Sequence, residues 1–166
     1  MTTAQRKMLS HYDNATLYND SIVAQIVKRF QKQDAIVIYV PDHGEECYEE
    51  NRGFICRNHS ANIDWPLAHY EFEIPFWIYC SPKYIRNHRD IYRQIRKAKD
   101  KRFMTDALPH LLLYLAGIET PTYKEEYNIL SPKYNEMRPR ILKNSVDYDK
   151  LRDEYYKKQE KKGAKK

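Results

Sequence analysis

Six consecutive apolar residues, "AIVIYV" at 35–40, run through Pro41 straight into "DHGEE" at 42–46. A strand with one wet face alternates apolar and polar residues. An unbroken apolar run instead predicts cover on both faces, as in a central strand of a parallel sheet. Such a strand requires helices before and after it and further strands beside it.

The flanking sequence supplies part of that frame. From about Asn14 to Gln33, Ala15, Tyr18, Ile22, Ile26 and Phe30 recur at spacings of three and four, with Val23 and Val27 beside them. This predicts an amphipathic helix with Asp13 or Asn14 at its N-cap. Residues 45–71, rich in Glu, Asn, Arg and His, read as a loop, and "FEIPFWIYCS" (72–81) reads as a second strand. Pro75 marks an edge, a bulge or the strand's start. Residues 82–102 place Tyr84, His88, Ile91, Tyr92 and Ile95 on one helical stripe, with a basic face opposite. "TDALPHLLLYLAGI" (105–118) predicts another helix, capped by Thr105, tolerant of Pro109 in its first turn and stopped by Gly117. "YNILSP" and "RPRIL" suit short edge strands, and a last helix is expected over Asp147–Lys161. The expected class is therefore α/β, a mostly parallel sheet flanked by helices, and incomplete because only two strands are convincing.

Composition narrows the function classes. With 15 Tyr and 8 Pro the chain is not of disordered type, and 166 residues suffice for one domain. The formal charge of +6 is modest, and much of it lies in the tail "YYKKQEKKGAKK". No nucleic-acid partner is expected, because no basic helix interleaved with stacking aromatics precedes that tail. Cys47, Cys56 and Cys80 lack C-x-x-C spacing, which excludes a structural zinc cluster. Cys47 and Cys56 suit a bridge in an exported chain and a reduced pair otherwise. The residues as written show neither a membrane anchor nor an export signal.

The chemistry is expected where the first strand ends. Loops converge beyond the carboxyl ends of strands in open α/β sheets. Asp42 and His43 sit at such an end, and a carboxylate and a neutral imidazole are both good zinc ligands. Gly44 removes a side chain and lets the backbone turn sharply, so that two adjacent ligands can face one ion, while Glu45 and Glu46 add negative charge, either as hydrogen-bond partners behind the ligands or as solvated acids. A turn bearing a surface histidine is the plainer reading of the same triplet.

Several stretches in fixed order add to this. "YDNATLYNDSI" (12–22), the strand ending "YVPDHGEE", "RNH" (57–59), "YEFEIPFWIYCSPKY" (70–84) and "DALPHLLLYLAGI" (106–118) together resemble the C-terminal half of the phosphoethanolamine transferases, in the sulfatase-like, alkaline-phosphatase superfamily. The resemblance spans roughly residues 12–142. It implies an alkaline-phosphatase-like sandwich, with residues 1–145 as the C-terminal portion of the catalytic domain and 146–166 as a charged helix or tail. It implies Asp42 and His43 as ligands of zinc or another divalent metal, and His59, with Arg57 beside it, as contacts of the donor's phosphoryl group. His69 is the alternative to His59. Glu73 stands where family members often carry a second histidine, and Asn14 and Asp20 match a helix motif of structural role. The implied reaction moves phosphoethanolamine from phosphatidylethanolamine, through a threonine nucleophile, to a glycolipid such as lipid A at the cell envelope. In the intact family the catalytic domain is periplasmic and anchored in the inner membrane.

The family's nucleophilic threonine and first acidic ligand lie upstream of the D-H-G motif. Thr2 and Thr3 occupy a polar tail and Thr16 a helix, so none suits that role. The expectation is a C-terminal piece, inactive alone, that needs its N-terminal half. A piece of a sulfatase or phosphoglycerol transferase, and a non-enzymatic basic binding module, are the alternatives.

Overall fold

The structure is a computed structural model that describes residues 1–56 and 62–163. Two compact units divide them: residues 1–84 with 150 onward, and residues 85–149.

The first unit begins with helix α1 (Thr3–Phe30), well before the expected start. The cause is a reciprocal cap. Thr2 Oγ1 accepts from Gln5 N (3.2 Å), and Gln5 Oε1 accepts from Thr2 N (2.7 Å). Asp13 and Asn14, expected as caps, are therefore exposed residues of the helix interior. The face turned to the protein is also rotated from expectation. Tyr12, Val23, Val27 and Phe30 are half-buried, whereas Tyr18, Ile22 and Ile26 are exposed.

Strand β1 (Ile36–Tyr39) follows, and the two strands chosen from the sequence do pair, as β1 with β4 (Trp77–Cys80). They run antiparallel, with Ile36 opposite Cys80 and Tyr39 opposite Trp77. The described residues give β1 no second strand neighbour, and all four of its residues are only half-buried. Cover on both faces is thus not achieved within these residues. Tyr39 and Trp77 stack across the pair, with centroids 5.1 Å apart, which makes Trp77 a packing residue. Ser81, fully buried, ties the sheet's ends together. Its hydroxyl donates to Gln33 O (2.5 Å) and accepts from Ala35 N (3.3 Å) and Tyr84 N (3.0 Å).

The region expected to be loop holds three elements: β2 (Glu46–Cys47), β3 (Phe54–Cys56) and helix α2 (Trp65–Phe72). Asp64 caps α2 by accepting from Leu67 N (3.0 Å), and Pro66 occupies its first turn, where no N–H is needed. Only the second half of "FEIPFWIYCS" is strand, beginning just after Pro75. Trp65 packs against Tyr155 and Tyr156 of the final helix, so it too is a packing residue. That helix is α6 (Tyr148–Gly163).

The long helix expected over 82–102 breaks at His88 into α3 (Pro82–Asn87) and α4 (Arg89–Ala98). The second unit holds α4 and α5 (Leu108–Ala116). The latter ends as expected at Gly117, whose φ of +66° suits glycine. Thr105 does not cap α5; it opens a short 3-10 turn, Thr105–Ala107. Leu111, Ala107, Ile129, Leu130 and Tyr148 form the unit's core. Arg138 grips Asp106 through two bonds of 2.6 and 2.7 Å. "YNILSP" forms turns, and "RPRIL" supplies β5 (Ile141–Leu142), paired with β6 (Val146–Asp147).

Candidate metal centre at the end of the first strand

Asp42 and His43 leave β1 together. Asp42 Oδ1 accepts from His43 N (3.1 Å), while His43 Nε2 lies 3.5 Å from Asp42 Oδ2. His43 Nδ1 stands 2.9 Å from Gly44 O. A carbonyl only accepts, so in the neutral ring the proton belongs on Nδ1, and Nε2 is the nitrogen that faces Asp42 Oδ2. Ligating histidines commonly use their second nitrogen in this way.

The pair fits one metal ion. Zinc bonds to N and O are about 2.0–2.1 Å long, and two such atoms 3.5 Å apart subtend roughly 117° at the ion. That is close to tetrahedral. Asp42 is 86% exposed at its side chain and His43 19%, so the pair opens on one side. Two donors are half a site. Among the described residues no group of three or more His, Cys, Asp or Glu side chains is placed to hold a metal.

The neighbouring backbone explains how the loop is held. Gly44 N donates to Glu71 O (2.8 Å), near the end of α2. A Cβ on Gly44 would fall 2.1 Å from Tyr70 O. The glycine serves close approach of two backbones, not the sharp turn expected of it; its φ is not positive.

A second device lies beyond it. Glu46, with no solvent exposure, accepts from Arg52 Nε (2.5 Å). The terminal nitrogens of Arg52 reach both oxygens of Asp64 (2.6 and 3.1 Å), the cap of α2. One guanidinium thus joins the strand after D-H-G to the helix that holds Gly44. Burial raises the Glu46 carboxyl above the ordinary glutamate value, and the Arg52 bond opposes that shift. Glu46 is neither a solvated acid nor a partner of the ligand pair but an anchor for Arg52, a residue the sequence does not single out. Its partners are separated along the chain, so no local pattern announces it. The cap of α2, in contrast, was legible as Asp64 followed by Trp65-Pro66.

His59 and Arg57, the expected phosphoryl contacts, lie outside the described residues, and so does the Cys56 side chain. Cys47 and Cys80 are buried, and burial raises the Cys80 thiol above its ordinary value. His69 stacks on Trp65 (5.6 Å) and lies 3.1 Å from Glu73, the residue standing at the family's second histidine position. His110 accepts from Lys124 N (3.2 Å), a structural task.

The Sulfatase family model matches residues 1–118, and the chain belongs to that family. Within it the likeness is to phosphoethanolamine transferases. EptC of Escherichia coli is 32% identical over 148 residues, covering 84% of this chain and 24% of the relative. The Kdo(2)-lipid A phosphoethanolamine 7''-transferase of Escherichia coli is 29% identical over 99 residues, covering 58% of this chain and 16% of the relative. The crystal structure of the C-terminal periplasmic domain of Escherichia coli EptC, also solved in complex with Zn, superposes with a TM-score of 0.72 at 28% identity. That match covers 90% of this chain and 42% of the other. The chain thus spans about a quarter of the length of EptC and less of the 7''-transferase. No described helix is long and apolar enough to cross a membrane.

Proposed function

We propose that residues 1–145 form the C-terminal portion of the catalytic domain of a zinc-dependent phosphoethanolamine transferase acting on a cell-envelope glycolipid of the lipid A type. The observation that carries this is the Asp42–His43 pair, with Nε2 and Oδ2 spaced for one ion and Nδ1 turned to Gly44 O. A bound divalent metal would offset charge on phosphoryl oxygens and favour a deprotonated nucleophile. In this reading Asp42 and His43 supply two of its ligands. His59 and Arg57 bind and orient the donor's phosphoryl group, phosphatidylethanolamine being the donor.

The nucleophile and the remaining acidic ligand belong, in this proposal, to the rest of a sulfatase-like domain. The outer face of α1 supports that. Leu17, Tyr18, Ile22 and Ile26 are 68%, 69%, 37% and 44% exposed, and no residue of this 28-residue helix is buried. A solvated helix does not ordinarily keep such a stripe. We assign it to packing against that remaining portion, which would also extend the β1–β4 pair into a larger, mostly parallel sheet. Such a domain would work in the periplasm, held at the inner membrane.

Zinc titration of the 166-residue chain and a transfer assay with labelled phosphatidylethanolamine test the reading. Weak zinc binding, abolished by Asp42→Asn and by His43→Ala, with no turnover, is expected. Turnover by this chain alone, or zinc binding unchanged in both variants, refutes it.

A further inference from the structure

The basic face of α4 has no part in the chemistry above. Arg89, Arg93 and Arg96 recur at four- and three-residue spacing, so they share one side of the helix, with Lys97 beside them. All four are exposed, as are Arg86 just before the helix and Lys99 just after it. Asp90 and Asp100 are the acids of this stretch, and they pair with Arg93 (2.9 Å) and Lys99 (3.6 Å). Arg86, Arg89, Arg96 and Lys97 make no ion pair among the described residues. On the opposite side Ile91, Tyr92 and Ile95 are half-buried and Ala98 is buried, and Gln94 accepts from Tyr114 Oη (2.9 Å). The helix is therefore held rigidly, with its cations outward along two turns.

We propose that this face adsorbs to a bilayer surface bearing anionic phosphate headgroups, which brings the domain down onto the lipids it serves. The identity of that surface rests on the envelope-transferase reading. The cations run along the helix, which suits a flat layer of charge rather than a single anion. No apolar residue on the outward side offers a wedge for the hydrocarbon, so adsorption is electrostatic, without insertion. Tyr92, the one aromatic of α4, is turned inward, so stacking on nucleic-acid bases is not provided for.

The test is sedimentation of the 166-residue chain with vesicles of phosphatidylcholine alone or with phosphatidylglycerol added. Binding only to the anionic vesicles is expected, falling steeply as salt shortens the screening length. Arg89→Glu/Arg93→Glu/Arg96→Glu should weaken it by about 100-fold or more. Arg89→Gln/Arg96→Gln, a milder change checked by circular dichroism, should weaken it by about tenfold. Reversing Lys157, Lys158, Lys161 and Lys162 in α6 should matter less. Equal binding to neutral vesicles, an unchanged affinity in the α4 variants, or equally tight binding to duplex DNA lost in the same variants overturns the proposal. None of these readouts depends on zinc or turnover, so failure here is distinct from failure of the transferase reading.

Discussion

Gly44→Ala is the sharpest test of how the Asp42–His43 pair is held. The new Cβ would lie 2.1 Å from Tyr70 O, where ordinary contact begins at 3.4 Å. The obstacle is backbone at the end of α2, not the movable tip of a side chain, so the D-H-G loop and α2 must separate by about an ångström. That displacement also breaks the 2.8 Å bond from Gly44 N to Glu71 O. Overpacking costs about 1–3 kcal/mol, and the lost bond adds roughly 1 kcal/mol. The expected destabilisation is therefore about 2–4 kcal/mol, equivalent to some 5–15 °C in Tm for a chain of this size. Urea unfolding measures it, with zinc affinity followed in parallel because His43 moves with its neighbour. Gly163→Ala, where a Cβ meets nothing within 4 Å, is the control and should be neutral or slightly stabilising. A Gly44→Ala protein within about 0.5 kcal/mol of the parent, with unchanged zinc affinity, would refute the close-approach argument.

Other consequences follow from single groups. The Glu46 carboxyl is raised by burial, so its contribution to stability is full below the ordinary value of 4.5 and is lost as pH rises through its higher folded value. Glu46→Gln should therefore flatten the fall in stability above that pH, and denaturation curves parallel to the parent's at every pH would refute it. Ser81→Ala leaves two backbone N–H groups short of an acceptor at the junction of β1 and β4, and about 2 kcal/mol should be lost in urea unfolding. Ile22→Lys/Ile26→Lys should change the stability of this chain by less than about 0.5 kcal/mol in urea unfolding. A loss of several kcal/mol would mean that these side chains are already covered.

The elements legible in the sequence are those whose cause is local. "AIVIYV" is a strand because its residues favour one, and Gly117 stops α5 because only the left-handed conformation closes that helix. The D-H-G pair, its place at a strand's end and the family likeness were all readable as a pattern along the chain. Even some misses had local signals, among them the Thr2–Gln5 capping box and the Asp64 cap with Pro66 behind it. The composition of 45–71 masked α2, because polar loops and half-exposed helices draw on the same residues.

Other features exist only once distant segments meet. Periodicity established that α1 has an apolar stripe, but which side of the helix meets the protein depended on what lay against it. Tyr12, Val23 and Phe30 face the unit, and Ile22 and Ile26 do not. Strand direction was equally hidden, since a run of apolar residues carries no record of whether its partner is parallel. The reach of Arg52 to Glu46 and Asp64, and of Gly44 to Glu71, depends on the folding of α2 back onto the loop. Residue type and spacing alone determined what chemistry this chain could carry. Only the tertiary structure decided how firmly the two candidate ligand residues are held, because that rests on backbone contacts between segments far apart in sequence.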